Sequence, residues 1–252
     1  MIIQEQAKAL KIGVLGGTFD PIHRGHIYVA DVVKERLGLD RIYLVTAKSP
    51  PHKSHYLASA ELRHAMVEAA CRDSEDGVDR SYLVPSRLEL DREGKSYTVD
   101  TFRKLKEEMQ AEVEDGVQTQ LYLITSAEYL APEQPTWIKN WDGAEELFKL
   151  CTIVVTPRRH MSATMAQDWA KQIPDADVIV VDLESPPISS LMVKRALKKG
   201  NSISELVPPA VEDFIQHSGL YTTSESTELA ELDKLSIQPD ASASPDKETA
   251  PK

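Results

Sequence analysis

The sequence predicts an α/β protein built on a doubly wound parallel sheet. Strand-like apolar runs alternate with segments whose apolar residues recur at helical spacing. A glycine-rich turn, GGTFDPIHRGH from Gly16 to His26, joins the first strand to the first helix. The composition, 41% hydrophobic and 27% charged over 252 residues, suits a globular chain with one sizeable domain and an appendage.

Taken in order, Ile12–Leu15 is a short buried strand. Ile27 to Leu37 places Ile27, Val29, Ala30, Val33 and Leu37 near one helical face. Arg41–Thr46 (RIYLVT) is a strand. Ser59 to Cys71 is a helix, with Ser59 as its N-cap and Glu61 in its first turn. Tyr82 to Leu90 reads as a strand, and Thr98 to Met109 as a helix opened by a hydroxyl residue. Gln120–Thr125, Cys151–Thr156 and Asp177–Val181 read as strands. Ser189 to Lys199 is a helix stopped by Gly200, in the favoured place just past a C-terminus. Pro208 to His217 is a last short helix closed by Gly219. In such a sheet, ligands bind outside the carboxyl ends of the strands, where strand order reverses. The glycine-rich turn sits at one of those ends.

Charge narrows the partners. The formal net charge is -11 at pH 7. Affinity for nucleic acid comes from neutralising phosphates with Lys and Arg, so a nucleic-acid partner is not expected and any anion site must be local. No apolar run is long enough to span a bilayer, so no membrane partner is expected either. The start, MIIQEQAKALK, lacks the basic head and long apolar middle of a secretory signal. Cys71 and Cys151 are far apart and in no metal-ligand spacing, as idle thiols in a reducing cytoplasm would be. From about Thr222 the chain turns to Ser, Thr, Glu, Asp, Ala and Pro without an aromatic residue. Such a stretch buries too little surface to offset its ordering entropy, so a disordered acidic tail is expected over 222–252, after a folded domain over 1–221. Leu229, Leu232 and Leu235 recur at helical spacing and allow a short helix there. Association with a second copy of the chain is left open.

The chemistry of the turn points to a phosphate. Gly16 and Gly17 let the backbone turn and approach a ligand that a Cβ would exclude. The helix starting near Gly25 offers unpaired N–H groups and a positive dipole end to an anion. Thr18 has a hydroxyl to donate. His23 and His26, three apart, face one region if the turn becomes helical, and a histidine donating from Nε2 stabilises charge developing on a phosphoryl group. Pro21 presets part of the loop's shape. Neither the Walker pattern nor G-x-G-x-x-G is present, and no acidic or Cys partner stands beside the His pair at metal-ligand spacing.

GGTFDPIHRGH resembles the signature of the HxGH nucleotidylyltransferases, and within them the chain is similar to the bacterial nicotinate-nucleotide adenylyltransferases. PPHK at Pro50–Lys53, SYTVDTF at Ser96–Phe102, PTW at Pro135–Trp137, ISSLMVKRALKKG at Ile188–Gly200 and LVPPAVEDFIQHSGLY at Leu206–Tyr221 extend the resemblance over nearly the whole body. It implies a Rossmann-like nucleotidylyltransferase fold. It also implies transfer of the adenylyl group of ATP, taken with Mg²⁺, to nicotinate mononucleotide, giving deamido-NAD and pyrophosphate. By the same resemblance His23, His26 and Thr18 would work on the phosphates, and Lys53 would neutralise charge there. Ser189, Ser190 and Lys194 would face the triphosphate from the start of a later helix, which is itself an anion site. Thr98 would approach the nicotinate end, Trp137 would stack on the pyridine ring, and the Ile138 N–H would bind the carboxylate. Trp141 is expected in the core. Arg158 and Arg159 follow a strand end, which would suit triphosphate binding, although a solvated loop is slightly preferred.

The chain departs from the family pattern in two places. Ser126-Ala127-Glu128 stands where Gly-Ala-Asp is usual, and ISST-x-IR has Leu191 for threonine and Lys194 for arginine. Lysine keeps the charge but loses the planar fork that grips phosphate oxygens. Both changes fall on the expected adenosine and triphosphate side and predict weaker ATP binding or an altered nucleotide preference. Transfer to nicotinamide mononucleotide or another phosphate acceptor, and a non-catalytic nucleotide binder, stay open as alternatives.

Overall fold

The structure, a computed structural model, describes residues 9–49, 57–73, 77–113, 117–158 and 161–221. The expected tail over 222–252 and Lys53 lie outside the described residues. Six parallel strands form one sheet: β1 (Leu10–Gly17), β2 (Arg41–Thr46), β3 (Leu83–Ser86), β4 (Thr119–Ser126), β5 (Thr152–Thr156) and β6 (Val178–Val180). Their order is β3-β2-β1-β4-β5-β6, with β1 paired to both β2 and β4. The chain winds outward in one direction from β1 to β3 and in the other from β4 to β6. Strand order therefore reverses between β1 and β4, which opens a crevice at their carboxyl ends.

Helices cover both faces. On one side lie α1 (Arg24–Leu37), α2 (Ala60–Arg72), α6 (Ser190–Lys198) and α7 (Pro209–Ser218). On the other lie α3 (Thr98–Glu112), α4 (Ala144–Leu150) and α5 (Ala163–Ala170). The strands serve both faces by alternation. Ile153 and Val155 of β5 join the core under α3 and α4, while Val154 between them joins the core under α1 and α2. Burial of apolar surface on both sides is why these strands read as continuous apolar runs.

Most expected elements stand, with shifted ends. Ser59 caps α2, its hydroxyl accepting from Leu62 N at 3.3 Å. Gly200 and Gly219 adopt positive φ just after α6 and α7. Three expectations are corrected. The strand over Tyr82–Leu90 stops at Ser86, and the chain then turns inward so that Glu89 accepts the Thr101 hydroxyl at 2.8 Å. The N-cap of α3 is Tyr97, and Thr98 is the first helical residue. Gly16 and Gly17 do not form the turn but end β1, and the backbone reverses at Phe19, with φ 48°, and the cis Asp20–Pro21 bond. Sequence periodicity also passed over α4, α5 and two short 3-10 turns, Ala127–Leu130 and Ile138–Asn140. Each is short, at eight residues or fewer.

Candidate active site

The glycine-rich segment occupies the crevice mouth. Gly16, Gly17 and Thr18 leave β1 and line a cleft of about 360 Å³. A Cβ at Gly16 would meet nothing within 4 Å, so its bare backbone opens directly onto that space. At Gly17 a Cβ would press to 2.9 Å from the Phe19 ring, so this glycine lets Phe19 fold back under the loop. Opposite, β4 contributes Thr125 and Ser126, and β5 contributes Thr156. The cleft thus lies across the ends of β1, β4 and β5, where the strand order places a ligand site.

The two histidines have different environments. His23 precedes α1 as its N-cap, and His26 is in the first turn. Their rings stack with centroids 3.7 Å apart, and His26 also meets Phe19 edge-on at 5.1 Å. The His26 Nδ1 accepts a hydrogen bond from the His23 backbone N–H at 3.2 Å. That bond leaves the proton of neutral His26 on Nε2, so the ring lining the cleft is a donor. His23 is almost wholly buried and is not among the residues lining the cleft. Burial, reinforced by the positive charge of Arg158, lowers its pKa to about 3 and keeps it neutral. Its Nδ1 is buried without a hydrogen-bond partner among the described residues. Gly25 makes room for that ring, since a Cβ there would stand 3.1 Å from it.

The rest of the expected site divides. Thr18 and Thr98 line the cleft with His26. Ser189 and Ser190 open α6, but both hydroxyls are engaged: Ser189 accepts from Met192 N at 3.3 Å, and Ser190 donates to the Pro21 carbonyl at 2.8 Å. Lys194, expected to face the triphosphate, has another partner in the structure. It is buried, and its Nζ lies 3.0 Å from the Asp20 carboxylate instead of facing the cleft. The segment from Trp137 is shifted as well. Asn140, Trp141 and Asp142 line the cleft, while Trp137 does not, and its Nε1 is buried without a partner among the described residues. Trp141, expected in the core, packs edge-to-face on Tyr129 at 5.2 Å and donates from its indole N–H to the Thr136 carbonyl. Ile138 is fully buried at the start of its 3-10 turn.

Two charged cleft residues arrive from loops. Arg158, assigned to a solvated loop, lines the cleft just beyond β5. Its position after a strand end was the usable signal. Glu89 was hidden inside a run read as strand, yet it reaches the wall beside Thr98 and Thr101. Ser126 and Glu128, the residues that depart from the family pattern, both line the cleft. The Ser126 hydroxyl accepts from Glu128 N, so the extra side chain closes its own turn. No cluster of three metal-ligating side chains occurs among the described residues, and no helix among them is long and apolar enough to cross a membrane.

A glycine-opened loop, a donor histidine at a helix start and a cleft across the reversal point of a parallel sheet together define a nucleotide-handling α/β protein. The family model described as cytidylyltransferase-like matches residues 14–196. A relative from Thermus thermophilus, named as a probable nicotinate-nucleotide adenylyltransferase, is 37% identical over 84% of this chain and 100% of its own length. One of the same name from Thermoanaerobacter is 32% identical, over 86% and 97%. A solved structure titled Plasmodium falciparum nicotinic acid mononucleotide adenylyltransferase complexed with NaAD shares the fold, with TM-score 0.66 at 21% identity over 84% of this chain and 97% of that one. The chain belongs to the cytidylyltransferase-like family, among relatives named nicotinate-nucleotide adenylyltransferase.

Proposed function

We infer that the protein is an adenylyltransferase of NAD biosynthesis, joining the adenylyl group of ATP to nicotinate mononucleotide and releasing pyrophosphate. The observation that carries this reading is His26, a fixed Nε2–H donor in the cleft between the ends of β1 and β4. In-line transfer needs positioning and charge stabilisation rather than a covalent intermediate. A phosphate oxygen of the mononucleotide attacks the α-phosphorus of ATP. The new P–O bond forms as the bond to the β-phosphate oxygen breaks, and that electron pair leaves with pyrophosphate. Mg²⁺ taken with ATP would neutralise charge on the triphosphate.

In this reading Gly16, Gly17 and Thr18 cradle phosphate at the meeting of the two substrates. His26 donates to the α-phosphate as charge builds there, and Arg158 adds a cation to the same cleft. Thr98 and Glu89 serve the mononucleotide side, with Trp141 as the aromatic wall beside it. His23, being neutral and stacked on His26, fixes the ring that donates.

Incubating the full chain with ATP, Mg²⁺ and nicotinate mononucleotide should yield equimolar deamido-NAD and pyrophosphate. Absence of both products with the acid and with nicotinamide mononucleotide would refute the reading, and preference for the amide would reassign the acceptor. His26→Ala should lower kcat by about 10²–10³-fold with the circular dichroism spectrum unchanged. Full activity in that variant would remove His26 from its role.

A further inference from the structure

Asp20 lies inside the phosphate loop, two residues after Thr18 and three before His23, yet it does not reach the cleft. It is 5% exposed and is approached by donors from three distant parts of the chain. Lys194 Nζ of α6 stands 3.0 Å from Oδ2, and Leu57 N, ahead of α2, donates to the same oxygen at 3.3 Å. The Tyr221 hydroxyl donates to Oδ1 at 2.8 Å. Burial and the neighbouring carboxylate both hold that hydroxyl protonated, and so a donor. A carboxylate met by several donors, one of them charged, holds a well-defined position. Ser190 strengthens the same attachment through the Pro21 carbonyl. From the other side Arg63, 1% exposed, donates to the carbonyls of Thr18 at 2.6 Å and Ala47 at 2.8 Å.

For Lys194 to reach a triphosphate it would have to leave Asp20 buried with its charge unpaired, which is strongly unfavourable. The lysine's charge is already committed to a carboxylate of the loop bearing Thr18, His23 and His26.

We propose that Asp20, Lys194 and Tyr221 act together as positioning residues for the phosphate loop, and that Lys194 is not a ligand of ATP. The claim rests on the adenylyl-transfer reading for its kinetic consequences, but the geometry of the loop is testable without turnover. A misplacement near 1 Å at a reacting centre costs on the order of 10²-fold in rate. The proposal assigns the three residues a shared effect on kcat and little effect on ATP affinity.

The test compares Asp20→Asn, Lys194→Met, their double variant and Tyr221→Phe in the full chain. Tyr221→Phe removes only a hydroxyl, so it keeps the test open if the charge variants fold poorly. Each should lose about tenfold or more in kcat while the KM for ATP stays within about threefold, and the double variant should be no worse than its worse parent, because the pair acts as a unit. The His26 imidazole resonances of the unliganded protein should move in Tyr221→Phe. A tenfold rise in the KM for ATP confined to Lys194→Met would instead make Lys194 a triphosphate ligand and overturn the proposal. Unmoved His26 resonances in Tyr221→Phe would overturn it as well. If wild-type protein makes no dinucleotide, the functional reading falls, and the resonances still decide the loop claim.

Discussion

The stacked histidines separate two roles that look alike in the sequence. His26 is held by a backbone N–H and donates from Nε2. His23 is held by packing, and its pKa is lowered to about 3 because burial excludes the charged form. The unfolded chain binds a proton at His23 near pH 6.5, whereas the folded chain does so only near 3. Stability therefore falls as pH drops from about 6.5 towards 3, and this group alone contributes on the order of 4 kcal/mol to the loss. Denaturant unfolding at pH 7 and pH 4 should show a smaller loss in His23→Gln than in wild type; equal losses would contradict the burial argument. The thiols behave differently. Burial raises Cys71 and Cys151 to about 12, so neither should react with iodoacetamide at pH 7.5 in the native protein. Rapid labelling of either would place it in a more open environment.

At the scale of elements, cap signals transferred well from sequence to structure and hydrophobic periodicity transferred in part. Ser59 and Ser189 were legible as caps because a short polar side chain before an amphipathic run has few other uses there. Ser59→Ala should cost about 1 kcal/mol of unfolding free energy, measured by urea titration. The short elements after β4 were not legible. Ala127–Leu130 and Ile138–Asn140 are single turns whose form is set by tertiary packing, and Trp141 beside them both packs on the core and lines the cleft. The partner of Lys194 was not legible for a related reason. The lysine's place in α6 was correct, but no local pattern shows that a carboxylate 174 residues away will claim its charge. Removing that charge in Lys194→Met leaves Asp20 uncompensated and should destabilise the fold by about 3–5 kcal/mol, well above the cost of Tyr221→Phe at about 1 kcal/mol. Similar losses in the two variants would imply that the ion pair is easily replaced.

For the molecule as a whole, the alternation of strand and helix was enough to place the site. It predicted a parallel sheet, the sheet predicted a crevice at the strand ends, and β1 and β4 form that crevice. Which side chains line it was less legible, because residues such as Glu89 and Arg158 arrive from loops whose paths depend on the assembled sheet. The net charge of -11 makes the cleft's own cations matter more, since the remainder of the surface will not attract a nucleotide. A non-hydrolysable ATP analogue at about 100 times its Kd should therefore stabilise the folded chain by about 2.7 kcal/mol, read as an upward shift in Tm, and Arg158→Ala should reduce the shift. An unaltered shift in that variant would take Arg158 out of the nucleotide site.

The bond between Tyr221 and Asp20 joins residues 201 apart in sequence. A chain emerging from the ribosome can complete the first strand and the glycine loop early. It cannot lock that loop until the last turn past α7 has folded back against it. An unfinished chain would therefore carry the recognisable signature of the site with its phosphate loop still unlocked, and catalytic competence would wait for a residue 201 positions downstream of that loop to be made.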